Sequence, residues 1–98
     1  LVTTGSTNAV VLADANQMVH IAIATANTVT LPSNASAAIT IGSTVTILNA
    51  GVGKVTIAGD GTSTVTGPSV GLSLNQWTGA TAVKVSTNGW EIFGSTVA

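Results

Sequence analysis

Charge is almost missing from this chain. Asp14, Asp60, Glu91, Lys54 and Lys84 are its only formally charged residues, 5% of 98, where an ordinary soluble domain carries about 25%. Arginine does not occur. Two lysines cannot neutralise a row of phosphates, which argues against a nucleic-acid partner. The same shortage argues against an anionic membrane surface. Cysteine is absent too, so no disulfide staples the fold and no thiolate holds a metal. The longest apolar run is a few residues, too short for a membrane-crossing helix. No basic segment precedes an apolar stretch, so no signal peptide is expected. Glu occurs once and Lys twice, which leaves a helical reading little local support.

What remains is rich in Thr, Val and Ile, the residues that favour strands. A chain of 98 residues and 9.6 kDa is one domain. At this mass a folded monomer buries roughly 63% of its unfolded surface, enough for a thin core. Hydrophobic residues make up 45%, the net charge is −1 and the mean hydropathy is +0.58. Net charge near zero promotes association. Such a chain is expected to be covered by copies of itself or by a larger assembly.

Period-two alternation marks the strands. Val19, Ile21 and Ile23 alternate with His20, Ala22 and Ala24; Val29 and Leu31 follow before Pro32 ends the run. Residues 33–43 read as a loop. Val45 and Ile47 point inward from 44–48, and Val55 and Ile57 from 54–58. The intervening Asn49-Ala50-Gly51-Val52-Gly53 has hairpin-turn chemistry. Short strands are expected at 63–66, 80–86 and 90–93, with turns at Gly59-Asp60-Gly61 and Thr87-Asn88-Gly89. Residues 69–79 are ambiguous, with Leu72 and Leu74 alternating. The pattern predicts an all-β fold: a small antiparallel sandwich or barrel of short strands joined by hairpin turns. Residues 1–9 are small and polar and read as an extended arm ahead of a β-domain over 10–98.

Convergent titratable chemistry is not apparent. His20 is the only histidine and sits inside a strand, whereas zinc wants three or four ligands. No GxSxG elbow supplies a nucleophile. Asp14, Asp60 and Glu91 fall in three separate segments, too few and too scattered to argue for a carboxylate pair. Gly51-Val52-Gly53-Lys54 hints at a phosphate loop, but Val55 stands where Ser or Thr is needed and Leu48 where Gly is needed. Asp14-Ala15-Asn16 and Gly59-Asp60-Gly61 offer one or two oxygens each, and calcium takes six to eight. No enzyme activity, cofactor or metal is expected. Asn34-Ala35-Ser36 matches the glycosylation sequon, a pattern chance supplies often. Trp77, Trp90 and Phe93 are read as core or oligomer-interface anchors; sugar stacking is the alternative for an exposed tryptophan.

From Thr28 onward the order of features resembles a known β-module. It runs Thr28-Val29-Thr30-Leu31-Pro32, then Ile41-Gly42-Ser43-Thr44-Val45-Thr46-Ile47, then Asn49-Ala50-Gly51 and Val55-Thr56-Ile57-Ala58. It closes on Ala82-Val83-Lys84-Val85 and Asn88-Gly89-Trp90-Glu91-Ile92-Phe93-Gly94. This resembles modules of tailed-bacteriophage virion proteins: capsid decoration (cement) proteins, tail fibres and head fibres. The match covers roughly the C-terminal two thirds. It departs at 59–67, where fibre modules tend to carry a simpler Gly-Gly-Val turn. The resemblance implies a non-catalytic virion component on the outer capsid surface, a homotrimer partnered by the major capsid protein. The alternative it implies is a trimeric tail-fibre or head-fibre domain that binds a host glycan. A bacterial adhesin or pilus-like subunit is a third reading. Leu1, Val2, Thr3, Thr4, Gly5, Ser6 and Thr7 carry no charge. They are the expected attachment arm, suited to adding a strand to an exposed sheet edge.

Overall fold

The computed structural model describes residues 7–69 and 71–97. They form nine strands: β1 (Thr7–Ala9), β2 (Met18–Ile21), β3 (Asn27–Leu31), β4 (Thr44–Asn49), β5 (Val55–Gly59), β6 (Thr64–Thr66), β7 (Ser73–Leu74), β8 (Thr78–Ser86) and β9 (Gly89–Gly94). A 3₁₀ turn at Leu12–Asp14 links β1 to β2. The strands make two sheets, ordered β1-β3-β5-β7 and β2-β4-β8-β9-β6. The all-β expectation holds, and the two sheets enclose one core.

The pairing is mixed rather than wholly antiparallel. β1–β3, β3–β5, β2–β4 and β6–β9 are parallel, whereas β4–β8, β5–β7 and β8–β9 are antiparallel. From β1 to β8 each strand lies in the opposite sheet from the one before. The expected hairpin at 49–53 is therefore a crossover: β4 and β5 belong to different sheets. Alternation alone cannot separate these outcomes, because Val45/Ile47 and Val55/Ile57 present an apolar face in either pairing. The backbone decides it. Ala50 and Gly51 N–H donate to Ile21 O at 2.7 and 3.1 Å, and Gly53 N–H donates to Ile23 O at 3.0 Å. The loop thus runs on beside residues 21–25. Gly51 and Gly53 permit that approach, since a Cβ on either would collide with the backbone of Ile23 or Thr25. One true hairpin joins β8 to β9 through Thr87-Asn88, pairing Ser86 with Gly89 after an irregularity between Lys84 and Ser86. β1 pairs with β3 from Thr7↔Thr28 to Ala9↔Thr30. The last three residues of the expected arm are thus the edge strand of the domain's own sheet.

The buried faces follow the alternation. Val19 and Ile21, Val29 and Leu31, Val45 and Ile47, and Val55 and Ile57 all enter the core, with Leu72, Leu74 and Ile92. β8 differs: it turns Ala80, Ala82 and Lys84 inward, leaving Val83 half-buried and Val85 exposed. Ala82 is in register with Ile92 and Lys84 with Trp90, so small residues make room for the core's largest side chain. Trp90 is 1% exposed, and its Nε1 donates to Pro32 O at 3.0 Å.

Trp90→Ala removes both that volume and the partner of a buried carbonyl. It is expected to cost about 3–5 kcal/mol, a large share of the roughly 5–15 kcal/mol that holds a domain of this size together. Thermal denaturation should show a melting temperature lower by at least about 12 °C; a shift of a degree or two would contradict the anchoring role.

Candidate functional site

The titratable groups do not converge. Among the described residues, no three of His, Asp and Glu come together as a metal set. His20 is half-buried on the outer face of β2, with Leu48 as its register partner. Asp14 closes the 3₁₀ turn, its Oδ2 accepting the Val11 N–H at 2.9 Å. Asn16 holds a positive φ of 60° and ties to β4: its N–H donates to Thr44 O at 2.6 Å, and its Oδ1 accepts the Thr44 N–H at 3.1 Å. Asp14 and Asn16 thus serve turns.

Asp60 serves the next turn. Its Oδ1 accepts the N–H groups of Thr62 and Ser63, both at 3.0 Å. Its Oδ2 accepts the Ser33 N–H at 2.8 Å and the Ser36 hydroxyl at 3.3 Å. These bonds, that from the Ser33 N–H foremost, hold the carboxyl well below the usual carboxylate range. The arrangement clamps the 32–43 loop to the β5–β6 turn.

The same loop is tied to the β8–β9 hairpin. Asn34 N–H donates to Asn88 Oδ1 at 2.8 Å, and its Oδ1 accepts from Lys84 Nζ at 3.2 Å. Asn34 is therefore part of the fold's bracing. Lys84 is 1% exposed. A lysine on the inward phase of β8 was not foreseeable from its neighbours, because Val83 and Val85 make the other phase look like the core side.

Asn49 is buried at the end of β4, on the same phase as Val45 and Ile47. Its Nδ2 donates to Gly53 O and Leu74 O, both at 2.9 Å, and its Oδ1 accepts the Gly51 N–H at 3.0 Å. Its backbone oxygen takes the Trp77 N–H at 2.6 Å. A polar residue on an otherwise apolar stripe was the available clue to this hub. Around it, the 50–53 loop and the 75–78 turn are laced together. Gln76 Nε2 donates to Ala50 O at 3.1 Å, and the Thr78 hydroxyl and N–H both donate to Asn75 O, at 2.7 and 3.2 Å.

Trp77 stands at the tip of that turn with φ of 64° and its side chain 71% exposed. The left-handed region costs an L residue about 1–2 kcal/mol, and a bulky residue there is an outlier. Phe93 is 60% exposed, on the phase opposite Trp90 and Ile92. Of the three residues expected as core or oligomer-interface anchors, Trp90 lies in the core, and Trp77 and Phe93 stand on the surface of the chain. For Phe93 the alternation already implied as much. For Trp77 nothing local did, because its orientation depends on the partner of its N–H. Leu1–Ser6 of the expected arm lie outside the described residues, and Thr7 lies in β1.

Exposed apolar side chains recur over this surface. Val11 and Leu12 flank the start of the 3₁₀ turn, beside the edge strands β1 and β2, and Ile41 and Val52 sit in loops. On the outer face of the five-stranded sheet, register aligns Met18, Thr46, Thr81 and Phe93 in a row across four strands, without charge. An open groove of about 270 Å³ runs beside edge strand β6, lined by Thr64, Thr66, Val85, Ser86, Asn88 and Glu91. Glu91 is its single titratable side chain. This surface offers contact area and hydrogen-bonding hydroxyls.

The Asp60 clamp gives stability a defined pH dependence. A depressed folded pKa means its contribution is complete above the unfolded value of about 3.9 and is lost as pH falls below it. Urea midpoints measured downward from pH 6 should fall through the acid range. Asp60→Asn should be less stable at neutral pH, having one acceptor oxygen where the carboxylate has two, and less sensitive to acid. Equal acid sensitivity in both proteins would refute the clamp. No family model, curated relative or solved structure matches the chain, so its function has to be read from its own residues.

Proposed function

We propose that this protein is a non-enzymatic structural module of a virion, a capsid decoration protein that works as a homotrimer on the outer surface of a tailed-phage head and bridges major capsid subunits. The observation that carries the reading is how little charge reaches the surface. Of five charged residues, Asp14 and Lys84 are buried, and Asp60, Lys54 and Glu91 are exposed, the Asp60 carboxylate accepting three backbone N–H groups. Against them stand nine exposed large apolar side chains among the described residues: Val11, Leu12, Met18, Ile41, Val52, Trp77, Val85, Phe93 and Val97. Surfaces of this kind suit permanent contact. Modest contacts repeated over a lattice raise binding steeply through multivalency. The order of motifs from Thr28 to Gly94 supports the same assignment. The exposed Trp77 favours a second reading, a fibre domain that meets a host glycan.

Sedimentation at micromolar concentration should find a trimer; a folded, soluble monomer would sink the proposal. The attachment arm has its own test. Removing Leu1–Ser6 leaves β1 in place. The truncated protein should still associate with itself but should no longer bind capsids stripped of it. Undiminished capsid binding would put the attachment surface on the β-domain instead.

A further inference from the structure

The turn that carries Trp77 is built in a way that packing does not explain. The backbone takes a conformation that favours glycine, yet the residue there is the bulkiest available and its ring is not buried. The conformation is over-determined from both sides: Trp77 N–H is held by Asn49 O, Gln76 by Ala50 O, and Asn75 O by two donors from Thr78. Asn49 is itself fixed by three side-chain hydrogen bonds. Strain of this kind persists where the surroundings enforce it, and it gathers at ligand clamps. The outcome is a rigid indole held out from the surface, with its conformational entropy already spent.

We infer that the Asn75–Thr78 turn is a binding site for a neutral pyranose. The indole is the platform for the sugar's apolar C–H face, and the amides of Asn75 and Gln76 take its hydroxyls. A tryptophan suits this role because its ring is large, rigid and amphipathic. The Asn75 side chain has no protein partner among the described residues, and Gln76 uses one of its amide's four hydrogen-bonding positions. Both can therefore serve a ligand. Neither this turn nor the 49–53 loop carries charge; Lys54, the next residue, stands where the β5–β7 register continues opposite Asn75, and the anionic control measures what that charge adds. A second copy of the chain is the other candidate for covering the ring. A stable protein contact needs about 800 Å² from each partner, however, and Trp77 supplies about 150–250 Å², to which Val52, exposed in the adjoining 50–53 loop, adds a smaller apolar area. The inference goes beyond the decoration reading and does not depend on where the module sits in a particle.

The test is an NMR titration of the full chain with cellotriose, chitotriose, maltotriose and a β-galactobiose, with a sialylated trisaccharide as the anionic control. The two indole N–H signals separate the site from the core, because the Trp90 Nε1–H is buried against Pro32. At least one neutral sugar should shift the Trp77 indole and the Asn75 and Gln76 side-chain amides, leave Trp90 unmoved, and bind more tightly than the anionic control. Trp77→Gly should weaken that binding at least about tenfold. Its melting temperature should be unchanged or raised, since glycine takes positive φ without penalty. Trp77→Tyr should restore part of the binding. No shift with any neutral sugar, or binding undiminished in Trp77→Gly, overturns the inference. So does a Trp77→Gly protein that sediments as a smaller species than the parent, because the ring would then be a contact between copies. Failure of the trimer assignment would show separately, in sedimentation of the unaltered chain.

Discussion

Parallel neighbours cannot be joined by a tight turn, and much of this molecule follows from that constraint. Once β2 pairs with β4 and β3 with β5, each in parallel, the chain must leave its sheet before it can return to it. Here it leaves by crossing to the other sheet. The crossing brings two apolar faces together, and Val19, Ile21, Val45 and Ile47 from one sheet meet Val29, Leu31, Val55 and Ile57 from the other. Core and winding are the same event. The antiparallel strands β7, β8 and β9 then close the sheets around Trp90, the core's largest side chain.

A chain with no disulfide and few charges needs another way to fix its loops, and it uses neutral hydrogen bonds from polar side chains. Asn49 fastens the 50–53 loop and β7, Asn16 fastens the start of β4, and Asn34 with Asn88 joins the long 32–43 loop to the final hairpin. Asp60 adds a charge-assisted clamp. Amides suit the task because each offers donors and acceptors at modest desolvation cost, whereas burying an unpaired charge is expensive.

A surface poor in charge is where fold and function meet. The sheets present Thr, Ala and Val outward, and register places them in uncharged rows such as Met18–Thr46–Thr81–Phe93. Edge strands β1 and β2 lie at the same end of the winding, next to exposed Val11 and Leu12. Such surfaces favour standing contact over transient chemistry. Trp77 differs from the rest: its exposure is imposed by hydrogen bonds, not left over from packing.

Much of the fold was legible in the chain alone because its signal is local. Apolar alternation located β2 to β5, β8 and β9, Pro32 ended β3, and the inward residues of β2 to β5 follow from the same period; β2 itself stops at Ile21, although the alternation runs on to Ile23. Strand phase turns Trp90 inward and Phe93, three positions on, outward, a distinction that reading both as anchors did not draw. The pairing was decided only by tertiary structure. A strand that buries one face satisfies its side chains equally well beside a parallel or an antiparallel neighbour, so the 44–58 segment reads as a hairpin until its crossover is seen. The inward turn of Lys84, the braced loop at 32–43 and the outward Trp77 lie in the same class. Each depends on a partner far along the chain: Asn34 for Lys84, Asp60 for Ser33 and Asn49 for Trp77. Side-chain period is a property of neighbouring residues, whereas a hydrogen bond across 27 to 50 positions exists only once the two sheets have closed.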